Sequence, residues 1–131
     1  ARLREELGKL LGREIDMVAT CIQAPVFVGD SLAVHLELDR PLGATDARAL
    51  LRQSPGLMVV DNREEETLVT PVECVGEWAT FVSRIRAHDA LPNGLAFWTV
   101  ADNLRKGAAL NAVQIAETLS ARGAFAAALE S

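Results

Sequence analysis

The sequence contains no apolar run near the roughly 20 residues that a membrane-spanning helix requires, and no basic-then-apolar segment opens it. Those absences make a soluble, cytoplasmic protein with no membrane partner the expectation. No basic tract interleaved with aromatics is present, and a net charge of -5 with a pI near 5.0 repels a phosphate backbone, which excludes nucleic acid as a partner class. Cysteine is scarce. Cys21 and Cys74 stand far apart with no CxxC or Cys/His ligand spacing, so two free, buried thiols are expected, with neither a disulfide nor a metal centre. A P-loop, a GxGxxG turn, an HExxH helix, an internal repeat and a low-complexity tract are all missing, and no nucleophile has an activating base at a recognisable spacing.

What is present is enough chain for one core. At 131 residues, half of them hydrophobic, the sequence fits a single domain that buries about two thirds of its unfolded surface. Leu3, Leu7, Leu10 and Leu11 fall on one helical face, and Gly12 follows as a stop. No capping residue precedes Arg2, so this helix reads as the continuation of a longer chain. IDMVATCIQ (15–23) alternates polar and apolar residues and predicts a strand. SLAVHLELD (31–39) predicts a second one, with Leu32, Val34, Leu36 and Leu38 on one face. Between them Gly29-Asp30-Ser31 reads as a turn.

Thr45 predicts the cap of a short helix that Ser54-Pro55-Gly56 ends, and LMVVD (57–61) reads as a strand. DNREEET (61–67) reads as a solvated acidic loop, and LVTPVECVGEW (68–78) as irregular chain because of Pro71 and Gly76. TFVSRIRAH (80–88) and LAFWTVA (95–101) predict a hairpin around the turn Leu91 to Gly94. The last helix, residues 103–122, carries Leu104, Ala108, Ala112, Ile115, Ala116 and Leu119 on a broad apolar face suited to packing on a sheet. Asp102 or Asn103 can cap it and Gly123 can close it. Strands in runs with helices between and after them indicate α+β: a mixed, mostly antiparallel sheet with helices on one face. His35, on the polar side of its strand, and His88, in a loop beside Asp89, read as surface residues.

The segment NGLAFWTVADNLRKGAALNAVQIAE (93–117) resembles the C-terminal signature of the aspartate-semialdehyde dehydrogenase family. CIQAPVFVGDSLAVHLEL (21–38) resembles that family's Cys-x-Arg-x-Pro-Val-x-x-Gly-His-Ser strand-turn-strand, TPVE its Thr-Pro loop and FVSRIR its Phe-Val-Gly-Arg-Ile-Arg strand. The resemblance implies that residues 1–131 are a C-terminal substrate-binding and dimerisation domain of the glyceraldehyde-3-phosphate dehydrogenase-like kind. It also implies a homodimer, and an N-terminal Rossmann domain, outside this sequence, that supplies NADP binding and the catalytic cysteine.

Residue by residue, the family's acid/base histidine corresponds to Asp30 and its substrate-gripping arginine to Gln23. Arg2 corresponds to a lysine that contacts phosphate or substrate, and Asn103 to a residue at the last helix's start that faces the cofactor, though simple capping explains Asn103 equally. A carboxylate ionised at neutral pH opposes a neighbouring thiolate, and an amide lacks the charged two-pronged grip of a guanidinium. The resemblance therefore implies a Usg-type homologue with impaired catalysis. Two other readings stay open: an active NADP-dependent dehydrogenase with another substrate, and a non-enzymatic α+β dimerisation module.

Overall fold

The structure, a computed structural model, describes residues 2–62 and 68–124. Its centre is a four-stranded sheet in the order β1-β4-β3-β2, built from β1 (Asp30–Glu37), β2 (Leu57–Val59), β3 (Thr80–Ala87) and β4 (Gly94–Ala101). β1 pairs antiparallel with β4 from Asp30↔Ala101 to Glu37↔Gly94; β3 pairs antiparallel with β4, and β2 parallel with β3. The mixed, mostly antiparallel α+β fold read from the sequence is the one observed. No helix among the described residues is long and apolar enough to cross a membrane.

The β3–β4 hairpin forms as its alternation predicts, with Asn93 at φ 51 in the turn. Gly94 is obligatory there, because a Cβ on it would lie 2.7 Å from the His88 carbonyl oxygen. One feature of β3 departs from strict alternation. Arg84 takes φ 55 at a bulge between Ser83 and Arg86, and this extra residue returns Ile85 to the side of Val82.

Two small cores result, one on each face. Val82, Ile85 and Leu95 pack with Ala47 of α2 (Ala44–Arg52), and Phe81 and Val100 pack with Val69 and Cys74, the latter ending the one-turn helix α3 (Pro71–Cys74). Trp98 fastens the second core by donating its indole N–H to the Val69 carbonyl at 2.8 Å.

Several local expectations are corrected. Residues 15–23 form no strand: their period-2 pattern has no partner strand among the described residues, and a strand without a ladder is only extended chain. Cys21 in that stretch is accordingly exposed, whereas Cys74 is buried; both are free. Helix α2 starts after Gly43, one turn position before Thr45, and Thr45 makes no capping bond. The segment read as irregular contains α3, whose Glu73 carboxylate accepts from the Thr70 N–H at 2.7 Å and from the Thr70 hydroxyl.

Asp61, read as part of a solvated loop, has its side chain largely covered, and its Oδ2 accepts from Arg48 Nε of α2 at 2.7 Å and lies 2.6 Å from Arg48 Nη2. The rest of that run, residues 63–67, lies outside the described residues.

The first helix, α1 (Arg2–Leu11), ends at Gly12 as expected but buries none of its residues. The final helix is α4 (Leu110–Ala121), preceded by a π-helical turn (Arg105–Ala109) and closed by Gly123 at φ 71. It does not lie across the sheet, and Val113 and Ile115 are more than half exposed. The segment that leads from β4 into it is anchored ahead of the π-helical turn, where Asp102 and Asn103 bond to the loops beside the sheet.

Candidate functional site

The chain reverses at Gly29, in a conformation (φ 110) that disfavours any side chain, and enters β1 at Asp30. Close packing adds to the backbone requirement. A Cβ on Gly29 would lie 3.2 Å from Pro71 Cβ and 3.4 Å from both Cys74 Sγ and the Ala101 carbonyl oxygen. Gly29 is thus pressed onto α3, and Asp30, opposite Ala101, is carried to the sheet end from which the last helical segment departs.

Asn103 meets it there. Its side-chain oxygen accepts from the Gly29 N–H at 3.2 Å, and its amide nitrogen donates to Asp30 Oδ1 at 3.3 Å. Asn103 does not cap the helix. That role falls to its neighbour Asp102, which is 3% exposed and accepts from the Leu104 N–H at 2.9 Å and from the Gly76 N–H at 2.8 Å. The two adjacent side chains therefore clasp two loops, one at 29–30 and one at 74–78. Arg105 extends the clasp: its guanidinium lies 3.9 Å from Asp102 Oδ2 and stacks over exposed Trp78 at 5.8 Å from the ring centre.

The Gly76 N–H hydrogen bond, with smaller help from the backbone N–H groups of Leu104 and Arg105 and from the Arg105 charge, holds the Asp102 carboxyl below the usual aspartate value, against the opposing effect of burial. A depressed folded-state pKa stabilises the fold above the unfolded value of about 3.9, and that contribution is lost as pH falls through the lower folded value. The expected result is that thermal melts taken from about pH 5 to about pH 3 lose stability less steeply in Asp102→Asn than in the unaltered protein. Equal slopes would show that Asp102 is not charged in the clasp.

Cys74 is unsuited to nucleophilic work. Burial, and then the nearby Asp102 charge, push its thiol above the ordinary value, and its Sγ is 3.2 Å from the Pro71 carbonyl oxygen. Of the four residues singled out from the sequence, the structure joins Asp30 and Asn103. Gln23 lies exposed in the extended stretch, with no hydrogen-bond partner among the described residues. Arg2 is 91% exposed at its side chain and pairs with Glu6 at 2.8 Å. Neither is bonded to the Asp30–Asn103 pair. Histidine offers no substitute for Asp30: His35 lies five residues along the same continuous strand and therefore on the other face. Sequence reading missed Gly76, Trp78 and Arg105, for which the glycine of the Val-Gly-Glu-Trp turn, at φ 84, was the available signal.

Residues 2–106 match the family model described as semialdehyde dehydrogenase, dimerisation domain. The chain is 54% identical over 116 residues to an aspartate-semialdehyde dehydrogenase of Legionella pneumophila, covering 87% of this chain and 33% of that protein. It is 42% identical over 119 residues to an aspartate-semialdehyde dehydrogenase of Aquifex aeolicus, covering 90% and 35%. Among solved structures, aspartate semialdehyde dehydrogenase II from Vibrio cholerae superposes with a TM-score of 0.83 at 36% identity, over 91% of this chain and 35% of that one. The chain thus spans about a third of the length of the curated relatives it matches.

Proposed function

The chain belongs to the semialdehyde dehydrogenase dimerisation-domain family, and on that premise we propose that it is the C-terminal dimerisation and substrate-binding domain of a Usg-type aspartate-semialdehyde dehydrogenase homologue whose catalysis is impaired. The single observation that carries this reading is the carboxylate of Asp30, held by the Asn103 amide at the position where the family resemblance calls for an imidazole. An imidazole can take up and return a proton near neutrality, and as a cation it stabilises a thiolate. A carboxylate at the same place repels a thiolate and offers no comparable shuttle.

Gln23 adds a second deficit. Hydrogen bonds to charged groups contribute about 1.5 to 3 kcal/mol against about 1 for neutral pairs, so replacing a forked guanidinium by one amide weakens the grip on a substrate carboxylate tenfold or more. In the intact protein, Gln23→Arg is therefore expected to tighten binding of aspartate semialdehyde at least tenfold by calorimetry. Unchanged affinity would remove Gln23 from the substrate site.

In this reading an N-terminal Rossmann domain brings NADP, which accepts hydride in the family reaction, and the cysteine nucleophile; the protein is cytoplasmic and pairs with a second copy. In the same reading this domain alone is not expected to hold NADP, and the Asn103 amide is engaged with Gly29 and Asp30. Self-association is supported by the family description and by β1, where Leu32 and Leu36 share one face and remain exposed at 59% and 36%. The rival reading, an active dehydrogenase with a different substrate, draws support from the relatives' names and differs in one respect that can be measured: it requires turnover.

A further inference from the structure

No residue from Arg2 to Val28 is buried, and Gly29 is the first that is. Helix α1 buries none of its side chains, and the stretch that follows it, residues 15–23, has no regular structure. Among the described residues, the backbone groups of 15–23 make no hydrogen bond to another backbone group. The apolar side chains there stand in water as well: Val18 is 96% exposed and Ile22 84%. If the stretch were a strand, Val18 and Ile22 would share one face, and Met17, Ala19 and Cys21 the other. Apolar residues on both faces are the pattern of a strand covered from both sides.

The described residues hold no partner for such a ladder. The free edges of the sheet are β1 and β2, and β2, Leu57–Val59, is too short for a stretch running from 15 to 23. β1 is long enough and is joined to the stretch by residues 24–29 alone, yet it pairs with β4 only. A second copy offers these same edges without the advantage of a short connection. Two copies of 15–23 paired with each other would make an isolated two-stranded ladder, which is marginal in water. The chain spans about a third of the relatives it matches, so most of the intact protein lies outside it. We propose that residues 15–23 become a sheet strand by pairing with a strand from the part of the intact protein outside residues 1–131, a partner with apolar side chains on both faces. This rests on the reading of the chain as one domain of a longer protein, and it adds a consequence for the site. Gln23 closes the stretch, so the same pairing fixes the backbone of the residue that stands at the substrate-gripping position.

Hydrogen exchange read by mass spectrometry on the intact protein tests this without substrate or cofactor. Amides of residues 16–23 are expected to exchange roughly 100-fold or more slowly than unstructured chain, equally at high concentration and after dilution to the monomer. Thr20→Pro, which removes one ladder donor, should release that protection together with the protection of one segment outside residues 1–131, while β3 and β4 keep theirs. Should Thr20→Pro fail to fold, exchange in the unaltered protein decides. The proposal is overturned by fast exchange over 16–23 in the intact protein, by protection lost on dilution, which would make a second copy the partner, or by release of β1 alone in Thr20→Pro. Turnover by the intact protein would overturn the reading of impaired catalysis and leave the exchange result as it is.

Discussion

Arg48→Ala is expected to destabilise the domain by about 3 to 5 kcal/mol, the usual cost of stranding one member of a buried ion pair. Both side chains of the pair are about nine-tenths covered. Arg48 reaches Asp61 through two nitrogens at 2.6 and 2.7 Å and also donates to the Ile85 carbonyl at 3.2 Å, beside the bulge of β3. One guanidinium thereby joins α2, the chain leaving β2 and the irregular part of β3. Its removal strips the Asp61 carboxylate and the Ile85 carbonyl of the donors it supplies. Urea denaturation should show a large fall in midpoint for Arg48→Ala and for Asp61→Ala. The double replacement should cost clearly less than the sum, because the second change removes the stranded charge. Additive losses would mean that the two groups act independently.

Restoring an imidazole and a guanidinium together is expected to produce activity from none. In the intact protein, Gln23→Arg with Asp30→His supplies a proton shuttle at the start of β1 and a forked grip on the substrate carboxylate. General acid/base catalysis alone is worth roughly 100- to 10,000-fold in rate, and the carboxylate grip adds at least tenfold in binding. The backbone should accept both changes. Asp30 and Gln23 are exposed, and the constraint that places residue 30 resides in Gly29 and its contacts with α3, which are untouched. Asn103 remains able to accept from the Gly29 N–H. The measurement is NADP reduction with aspartate semialdehyde and phosphate, for the double variant and for each single one. Turnover in the double variant locates the defect in this domain; none, in a protein that binds both ligands, places the defect elsewhere.

The hairpin of β3 and β4 was legible because its two alternating runs flank a Pro-Asn-Gly turn, so local chemistry and tertiary pairing agree. The same period over 15–23 failed, since alternation reports compatibility with a sheet and says nothing about whether an edge is available. The Arg84 bulge could not be read: it needs a positive φ at a residue that ordinarily avoids one, and its cause is the need to turn Ile85 inward. Asp61 was hidden in an acidic run whose composition signals solvent, while its partner lies 13 residues earlier on a helix. Thr70 and Glu73 did carry a capping signal, outweighed in reading by Pro71 and Gly76. At the site, Asp30 and Asn103 were each identified through family resemblance, but their contact spans 73 residues and follows from β1 and β4 being neighbours. No local pattern encodes that.

The claim on which the functional reading rests is that a carboxylate at position 30 and an amide at position 23 cannot carry out the family chemistry. Its most direct measurement is the rate of NADP reduction by the unaltered intact protein supplied with aspartate semialdehyde and phosphate at saturating concentrations. The expected rate is indistinguishable from that of a blank. Sustained turnover comparable with that of an active aspartate-semialdehyde dehydrogenase, assayed alongside, would contradict it.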